Sequence, residues 1–480
     1  MREHLWITLI SILIFALVLL ASRYKLLEFV ELKTLDKRHS YASERISPSD
    51  SIVLVTIDSK SQSVLGSLPW SHDVYLALYN ALKEANPKAV GMMIWFNREW
   101  EGGELELDPN NNLFVIKPYS LPPVIKRDRI PTITSWYPIP LKFELARGKS
   151  YSYMTYSPED GIYRSAQMVV RDRNGGFRFP IELLMTCEFL GLDEGQLALR
   201  SGFWRGRYIE MGDLLKIPVD SGGRTYITYL PSGDSFNSIS FVDVLEIYQN
   251  GDLGQLRRLF SGKIVLVGET ENAYRVPTPS GEMTALEIRA NLVNDLVKKA
   301  FITRLTFKVN LIYTALFLIL SVFITLMVYQ YEGRISLLAT AYTVFLLFHL
   351  AFCFSLFQNW SIWLDMVTPG LFISLNGISC TLLLNYINLK KTQRQLVQSE
   401  KEAAFGVMSA QVRHEIRNIL NSIRAPAEMV RNNFQKGDPL GMKDKPGEIV
   451  SEMNAIIERV MKLNDMIENE LSFFQEASLR

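Results

Sequence analysis

The sequence predicts an α/β domain, an all-α membrane region of four helices, and a two-helix hairpin that dimerises into a four-helix bundle. The α/β prediction rests on strand and amphipathic-helix patterns that alternate between residues 23 and 305. The membrane prediction rests on four long apolar segments. The hairpin prediction rests on apolar residues at steps of three and four through residues 405–480.

Composition agrees with a membrane protein that has a large soluble part. Hydrophobic residues make up 48% of the 480-residue chain, and the mean hydropathy is +0.08. The net charge is +1 and the chain has no basic arm, so we expect no nucleic-acid partner. The lipid bilayer is the first partner that the composition implies.

The apolar segments cover residues 5–22, 310–331, 335–357 and 362–389. Each approaches or exceeds the roughly 20 residues that span a bilayer core. Residues 1–22 are predicted to be an N-terminal tip and an uncleaved anchor, because no small-x-small cleavage site precedes Arg23. Residues 306–389 would form the other three helices. An even number of spans puts both termini on one side, and basic residues flank both sides, so the positive-inside rule does not settle the orientation.

Residues 23–305 carry the α/β pattern. Apolar runs at residues 51–58 and 88–96 read as strands, with an amphipathic helix at residues 73–85 between them. This order predicts a βαβ unit with a parallel strand pair. A further buried strand at residues 262–268 and a helix at residues 285–297 complete the domain before the membrane.

Near the C-terminus, the charged hexapeptide Arg413–Asn418 lies within an amphipathic-helix pattern. The apolar stripe comprises Phe405, Met408, Val412, Ile416, Ile419, Ile423, Ala427, Val430 and Phe434. His414 points roughly 200° away from this stripe, outward. An exposed imidazole suits reversible phosphoryl acceptance, and Glu415 could hold the proton of one ring nitrogen. The alternative to a phosphoacceptor is that His414 is simply one polar residue on a solvated helix face.

A second helix follows a break at residues 435–446, which contain two glycines and two prolines. Its heptad seam comprises Ile449, Met453, Ile456, Val460, Leu463, Ile467, Leu471 and Phe474. One hairpin cannot bury both apolar faces, so we expect a homodimer. Before the hairpin, residues 390–404 form a charged, helix-prone linker with Leu389, Leu396 and Ala403 seven residues apart, able to carry a rotation or shift.

This region resembles the dimerisation and histidine-phosphotransfer domain of bacterial sensor histidine kinases. The match lies in Phe405-Gly406, Met408, Ala410, His414-Glu415-Ile416-Arg417-Asn418, Leu420-Asn421 and Ile423, with Ile419 where many members have proline. The resemblance implies that His414 takes phosphate and passes it to an aspartate in the receiver domain of a response regulator. It gives Glu415 the role of orienting the ring and Asn418 that of positioning water for the phosphatase reaction. Arg413 and Arg417 would steady phosphate charge.

Sensor kinases carry an ATP-binding domain after this hairpin, and we find no P-loop or GxGxxG-like loop in a nucleotide-binding context. We therefore expect no cofactor and no metal in this chain. ATP and Mg²⁺ would act only through a missing or separate catalytic domain, which could phosphorylate His414 in trans.

Residues 23–305 resemble the second type of CHASE extracytoplasmic sensor domain. The matching features are Ile57-Asp58, Leu65-Gly66, Pro69-Trp70, Pro87 to Gly91, Asp160-Gly161 with Arg164, Phe241 with Asp243 to Leu245, Gly262 to Gly268, Thr278-Pro279 and Ala290-Asn291. The layout of one anchor before the domain and three spans after it is that of the family. Departures fall at Met93, where an aspartate is usual, at Arg289, where a histidine is common, and at His72, where an arginine is common.

Asp58, Trp70 and Arg164 remain candidates for a sensor-ligand site. Each also has a structural interpretation: a strand-end carboxylate, a core indole and a surface ion pair. The departures at neighbouring polar positions imply a ligand that differs from that of relatives, or none.

The whole sequence therefore predicts an extracytoplasmic α/β sensor domain, four membrane helices and a cytoplasmic hairpin with both termini in the cytoplasm of a bacterial inner membrane. The expected function is that of a two-component sensor. One alternative is a non-enzymatic receptor or scaffold that works with a separate kinase. Another is a sensor with a cyclase or serine/threonine kinase output, against which the histidine box argues.

Overall fold

The structure is a computed structural model that forms two compact units, Met1–Leu383 and Leu384–Arg480. It describes residues 2–43, 47–96, 111–117, 119–120, 129–137, 139, 146–152, 154–156, 160–204, 206–212, 214–231, 236–271, 273–330, 335–435 and 446–479. Residues 436–445, which carry most of the predicted break in the hairpin, lie outside these ranges.

The described helices and strands are numbered in chain order. The helices are α1 Arg2–Arg23, α2 Glu28–Ser43, α3 Ser59–Leu65, α4 His72–Glu84, α5 Ile181–Leu190, α6 Phe241–Gln249, α7 Leu253–Phe260, α8 Ala285–Lys298, α9 Phe307–Gln330, α10 Ile335–Trp360, α11 Val367–Gln435 and α12 Pro446–Leu479. The strands are β1 Ile52–Ile57, β2 Ala89–Met92, β3 Leu113–Ile116, β4 Tyr119–Ser120, β5 Ser135–Trp136, β6 Gly148–Ser150, β7 Met154–Tyr156, β8 Tyr163–Gln167, β9 Val170–Arg171, β10 Phe177–Arg178, β11 Ala198–Gly202, β12 Gly206–Met211, β13 Leu215–Val219, β14 Arg224–Tyr226, β15 Asn237–Ser240, β16 Ile264–Glu269, β17 Arg275–Thr278, β18 Gly281–Thr284, β19 Thr303–Arg304 and β20 Ile362–Trp363.

A six-stranded parallel sheet in the order β15-β1-β16-β2-β3-β6 forms the centre of the first unit. Helices α4, α6 and α7 cover one face of the sheet, and α5 and α8 cover the other. Both faces are buried, which is why β1 and β16 read as continuous apolar runs rather than alternating ones. The mixed α/β prediction is confirmed.

Two details of the predicted βαβ unit differ. Strands β1 and β2 are parallel members of one sheet, but β16 lies between them, so they do not pair directly. Strand order depends on which apolar run fills the centre, and β16 arrives there from the far end of the domain. The second strand also ends at Met92 rather than near residue 96, and the Met93 carbonyl accepts a hydrogen bond from Arg289 Nη1 at 3.0 Å.

Helix α2 was not predicted, because its inward face carries charge. Glu31, Arg38 and His39 are 1–3% exposed beside the buried Leu32 and Leu35. This mixture hides the apolar stripe by which an amphipathic helix is usually recognised.

Four helices are long and apolar enough to cross a membrane: α1, α9, α10 and the first part of α11. The predicted fourth segment began at residue 362, whereas α11 begins at Val367. Residues Ile362–Trp363 instead form β20, which pairs in parallel with β19. This two-stranded ribbon shows that the start of α9, the end of α10 and the start of α11 lie at one level.

The contacts of α8 show which ends of the parallel strands face the apolar helices. Lys298, the last residue of α8, donates its ammonium to Ser47 just before β1, and Ser49 N donates to Asn294 Oδ1 at 2.9 Å. Helix α8 leads to β19 and then α9. The amino ends of the parallel strands therefore face the apolar helices, and their carboxyl ends lie at the far end of the domain.

The second unit consists of the part of α11 from Leu384 onward and the whole of α12. Residues 390–404, the predicted linker, are helical throughout. Within this unit the two helices touch where Arg459 Nη1 donates to the Ser422 carbonyl. Many apolar side chains of both helices are at least 40% exposed, among them Val407, Leu420, Val450 and Met461.

Candidate functional site

His414 lies on the solvent side of α11, as its distance from the apolar stripe predicts. Its neighbours Arg413, Glu415, Arg417 and Asn418 are exposed as well, while Val412 and Ile416 are half-buried. The helical repeat thus sorts the hexapeptide into a polar outer face and an apolar inner face.

Asn418, one turn along the helix, touches the imidazole. Its Nδ2 lies 3.2 Å from His414 Nδ1. An amide and a neutral imidazole can each present a donor or an acceptor here, since either tautomer and either amide orientation is available. With Oδ1 turned toward the ring, the amide would accept Nδ1–H and leave a lone pair on Nε2. In that orientation Nε2 is the nitrogen left for a reaction partner.

The other residues of the box have different neighbours. Arg413 Nε donates to the Ser409 carbonyl at 3.2 Å, which holds its stem along the helix. Within the described part of the chain, Glu415 and Arg417 carry no hydrogen bond or ion pair, so their side chains stay available to a partner.

Asp58 caps a helix at the carboxyl end of β1. Its Oδ1 accepts from Ser61 N at 2.9 Å and from the hydroxyls of Ser61 and Ser240, each at 2.8 Å. Burial raises the pKa of Asp58, but these hydrogen bonds outweigh it, so the pKa lies below its usual value. Through Oδ1 the carboxylate joins α3 to the end of β15, while Oδ2 has only the Thr56 hydroxyl at 3.5 Å.

Trp70 lies close to Asp58 in the core. It is 4% exposed, and its Nε1 donates to the Gly66 carbonyl at 2.7 Å. Its ring packs against Phe241, with ring centroids 5.1 Å apart, and Phe241 directly follows Ser240. The fold therefore brings Asp58 and Trp70 together at the carboxyl end of the sheet, where ligands of open α/β sheets commonly bind.

Two departures from the family pattern also meet near this edge. Arg289 donates to the Met93 carbonyl at 3.0 Å, and its Nε lies 3.7 Å from Glu182 Oε1. Burial raises the pKa of Glu182 despite the attraction of Arg289. An arginine at position 289 therefore joins β2 to α5, which is a structural task.

Arg164 is far from this pair, in the half of the domain nearest the apolar helices. It is 3% exposed and makes two bidentate ion pairs, with Asp36 of α2 at 2.7 Å and with Asp160 at 2.7–2.8 Å. Burial raises the pKa of Asp160, but hydrogen bonds from Arg164, Ile162 N and Lys33 outweigh it and bring the pKa to about 2. The ion pair is buried, rather than on the surface, and it attaches α2 to β8.

Helix α2 reaches from this ion pair to the start of α11. Glu31 Oε2 accepts from the amides of Met366 and Val367 at 2.9 and 2.8 Å. Glu31 Oε1 accepts from Trp363 Nε1 and Arg38 Nη2, both at 2.7 Å. A side chain of α2 therefore satisfies the first amides of α11, a place where helices need an acceptor. Sequence reasoning missed Glu31 because the partners that it has in β20 and at the start of α11 lie more than 300 residues away.

A cavity of about 460 Å³ opens beside this network. Its lining includes Glu28, Glu31, Arg304 and Asp365, and Arg304 pairs with Glu28 at 2.6 Å and with Asp365 at 3.3 Å. Burial raises the pKa of Asp365 to about 6, against the opposing attraction of Arg304. Among the described residues, no group of three or more His, Cys, Asp or Glu side chains is placed to hold a metal ion.

Comparison with protein families decides the identity of the larger unit. The CHASE2 domain model matches residues 10–328, more than half of the chain. The chain belongs to the CHASE2 family. A CHASE2 domain is a periplasmic sensor domain typical of signalling proteins, and the apolar helices around it are those of a membrane protein. No curated protein and no solved structure matches the chain.

The CHASE2 domain should depend on the ion pairs of Arg164. We expect Arg164→Ala to leave two carboxylates facing each other near the interior, and removal of one partner of a buried pair costs about 3 kcal/mol or more. The melting temperature of the purified protein should fall. Arg178→Ala, which removes an ion pair whose arginine side chain is 58% exposed, serves as the control and should change it little.

The pH dependence gives a second readout for the same variant. A carboxyl with a folded pKa of about 2 and an ordinary value of 3.8 contributes stability above pH 3.8 that is lost as the pH falls toward 2. We expect this acid loss in the wild type and a weaker one in Arg164→Ala. Equal acid dependence in both proteins would contradict the assignment.

Proposed function

We propose that this chain is the membrane-anchored sensor of a bacterial two-component system, with His414 as its phosphoacceptor. In this proposal the CHASE2 domain senses an extracytoplasmic stimulus and both termini lie in the cytoplasm. The observation that carries the proposal is the exposed His414 ring with Asn418 at Nδ1, inside a box that resembles that of sensor histidine kinases.

The proposed chemistry uses Nε2 as the nucleophile. Nε2 attacks the γ-phosphorus of ATP held by a separate catalytic domain, the bond to the ADP oxygen breaks, and a P–N bond forms. Nδ1 keeps its proton throughout and donates a hydrogen bond to Asn418 Oδ1 or to the Glu415 carboxylate. A carboxylate of a response regulator then attacks the same phosphorus, the P–N bond breaks, and the ring returns to its neutral form. Arg413 and Arg417 steady the phosphoryl oxygens.

A homodimer is part of this proposal. The hairpin exposes apolar side chains of the predicted stripe and seam, including Phe405, Met453 and Val460, which are 48–56% exposed. Exposed apolar side chains that repeat along one face of a helix mark an interaction site. Two copies that face each other would bury these side chains in a four-helix bundle. Each copy would contribute one segment of α11 and one of α12 to that bundle.

Signal transfer would pass through α2 and α11. Arg164 attaches α2 to β8 within the CHASE2 domain, Glu31 of α2 caps α11, and α11 includes both an apolar span and His414. A shift of α2 would therefore act on the start of the helix that carries the acceptor.

Labelling of the wild-type protein tests the proposal. Purified protein with radiolabelled ATP and Mg²⁺ should remain unlabelled, because no nucleotide-binding loop was found in the sequence. Addition of the ATP-binding domain of a sensor kinase should give an acid-labile, alkali-stable phosphate that peptide mapping places on His414. A chain that carries no acid-labile phosphate with any such domain, yet still binds a kinase, would be a scaffold.

A further inference from the structure

The tip of the β11–β12 hairpin is fixed to the first residues of an apolar helix. Thr306, just before α9, donates its amide to the Trp204 carbonyl at 3.3 Å and its hydroxyl to the Phe203 carbonyl at 3.1 Å. The Lys308 ammonium lies 5.7 Å from the centre of the Phe203 ring. These contacts hold two aromatic residues of the outer domain against the end of α9.

The same two side chains are open to the surroundings. Phe203 is 53% exposed and Trp204 is 63% exposed, although both are large and apolar. Helix α9 has 24 residues and a length of about 36 Å, which exceeds the roughly 30 Å of a bilayer core. Its first turn therefore lies at the headgroup level, where tryptophan and other aromatic rings concentrate in membrane proteins.

The turn end of this hairpin forms part of the wall of the 460 Å³ cavity. Gly206 and Arg207 of β12 line it, together with Arg23 and Lys25 at the end of α1 and Phe307 of α9. The volume suits a small ligand or a headgroup. The cavity, with its polar lining, thus lies beside the aromatic tip of the hairpin and at the same headgroup level.

Charge in the cavity favours an anion. Most lining ions have an opposite partner: Arg304 with Glu28, Arg224 with Asp220, Arg38 with Glu31, and Arg164 with Asp36. Within the part of the chain that the structure describes, Arg23 and Arg207 have no carboxylate partner. Among the described residues, Arg207 donates only to the Ser221 carbonyl, at 2.8 Å.

We propose that this cavity binds the headgroup of an anionic phospholipid. The phosphate would lie between Arg23 and Arg207, which suit bidentate contacts to its oxygens, and an acyl chain would follow Phe203, Trp204 and the outer surface of α9. The acyl contact distinguishes a lipid from a soluble phosphate. A lipid bound there would touch the wall that also carries Arg304 and Glu31, and so would act on the start of α11.

Native mass spectrometry of the full chain tests the headgroup contact. The protein is extracted in mild detergent, titrated with phosphatidylglycerol, and compared with Arg23→Gln/Arg207→Gln. Loss of a charged hydrogen-bond donor weakens binding about tenfold, so we expect the double variant to bind about 100-fold more weakly. Arg173→Gln/Arg258→Gln removes the same charge from exposed positions outside the cavity and should bind like the wild type.

Equal retention of lipid by both double variants would mean exchangeable annular lipid only and would overturn the proposal. Displacement of the lipid by millimolar glycerol 3-phosphate or inorganic phosphate would also overturn it, because a soluble phosphate would then be the ligand. Persistence of the bound lipid in the presence of either phosphate supports it.

Fluorescence quenching tests the aromatic contact independently. In nanodiscs with brominated phospholipid, Trp204→Phe should remove part of the lipid-dependent quenching of the wild type. Trp95→Phe should remove none, since Trp95 is 60% exposed but follows β2 at the far end of the sheet. Unchanged lipid quenching in Trp204→Phe, with a loss of quenching by aqueous iodide, would show that Trp204 faces water and would refute the site.

Discussion

Replacement of His414 by glutamine should abolish the acid-labile phosphate that a sensor-kinase ATP-binding domain transfers to this chain. Glutamine keeps the polarity of the exposed position but has no nitrogen lone pair able to attack phosphorus. We expect labelling at least about 100-fold below that of the wild type. Loss of the nucleophile lowers the rate by this much, whereas loss of a group that only orients the nucleophile lowers it less. Phosphorimaging before and after acid treatment measures it.

Two variants on the same helix complete this experiment. Gln411→Ala changes an exposed residue three positions earlier and should leave most of the labelling intact. Asn418→Asp presents an oxygen acceptor to Nδ1 in either orientation and should preserve phosphate uptake better than Asn418→Ala. Acid-labile label on His414→Gln equal to that of the wild type would refute the assignment of the acceptor.

Removal of the Glu31 carboxylate should give the largest loss of stability among the substitutions considered. Glu31 is 3% exposed and accepts four hydrogen bonds, from Arg38, Trp363, Met366 and Val367. Glu31→Ala leaves these donors without their acceptor and Arg38 without its buried partner, a change worth about 3–5 kcal/mol. We expect the melting temperature in detergent to fall by about 5–10 °C.

Hydrogen exchange distinguishes a loss of the cap from general unfolding. In Glu31→Ala the peptide containing Met366 and Val367 should exchange faster at temperatures where β1 and β16 remain protected. Glu31→Gln keeps one acceptor oxygen, so the exchange rate of this peptide should lie between those of Glu31→Ala and the wild type. Lys37→Ala, an exposed change on the same helix, should match the wild type. Unchanged exchange at Met366 and Val367 in Glu31→Ala would rule out the cap.

The elements that could be predicted from the sequence are those whose pattern is local. Strands β1 and β16 are apolar runs that lie in a doubly covered sheet, and α4 has a clear apolar face. Their bounds agree with the structure to within one or two residues. The outward direction of His414 also follows from helical spacing alone, and the side chain is exposed.

The elements that could not be predicted depend on contacts between distant residues. Helix α2 buries Glu31 and Arg38 because the two form an ion pair with each other and their remaining polar atoms bond to Trp363 and the Leu364 carbonyl. Nothing near α2 in sequence reveals those distant partners. The insertion of β16 between β1 and β2 depends on packing of the whole sheet. For the same reason Arg164 resembles a surface residue in sequence, although Asp36 and Asp160 hold it in the interior.

A topology measurement tests most directly the claim that the CHASE2 domain and His414 lie on opposite sides of one membrane. Alkaline phosphatase, which is active only outside the cytoplasm, is fused after Gly161 in one protein and after Arg480 in another. We expect activity from the fusion at Gly161 and none from the fusion at Arg480. The reverse pattern would place the CHASE2 domain in the cytoplasm and His414 away from ATP, and would contradict the two-component function.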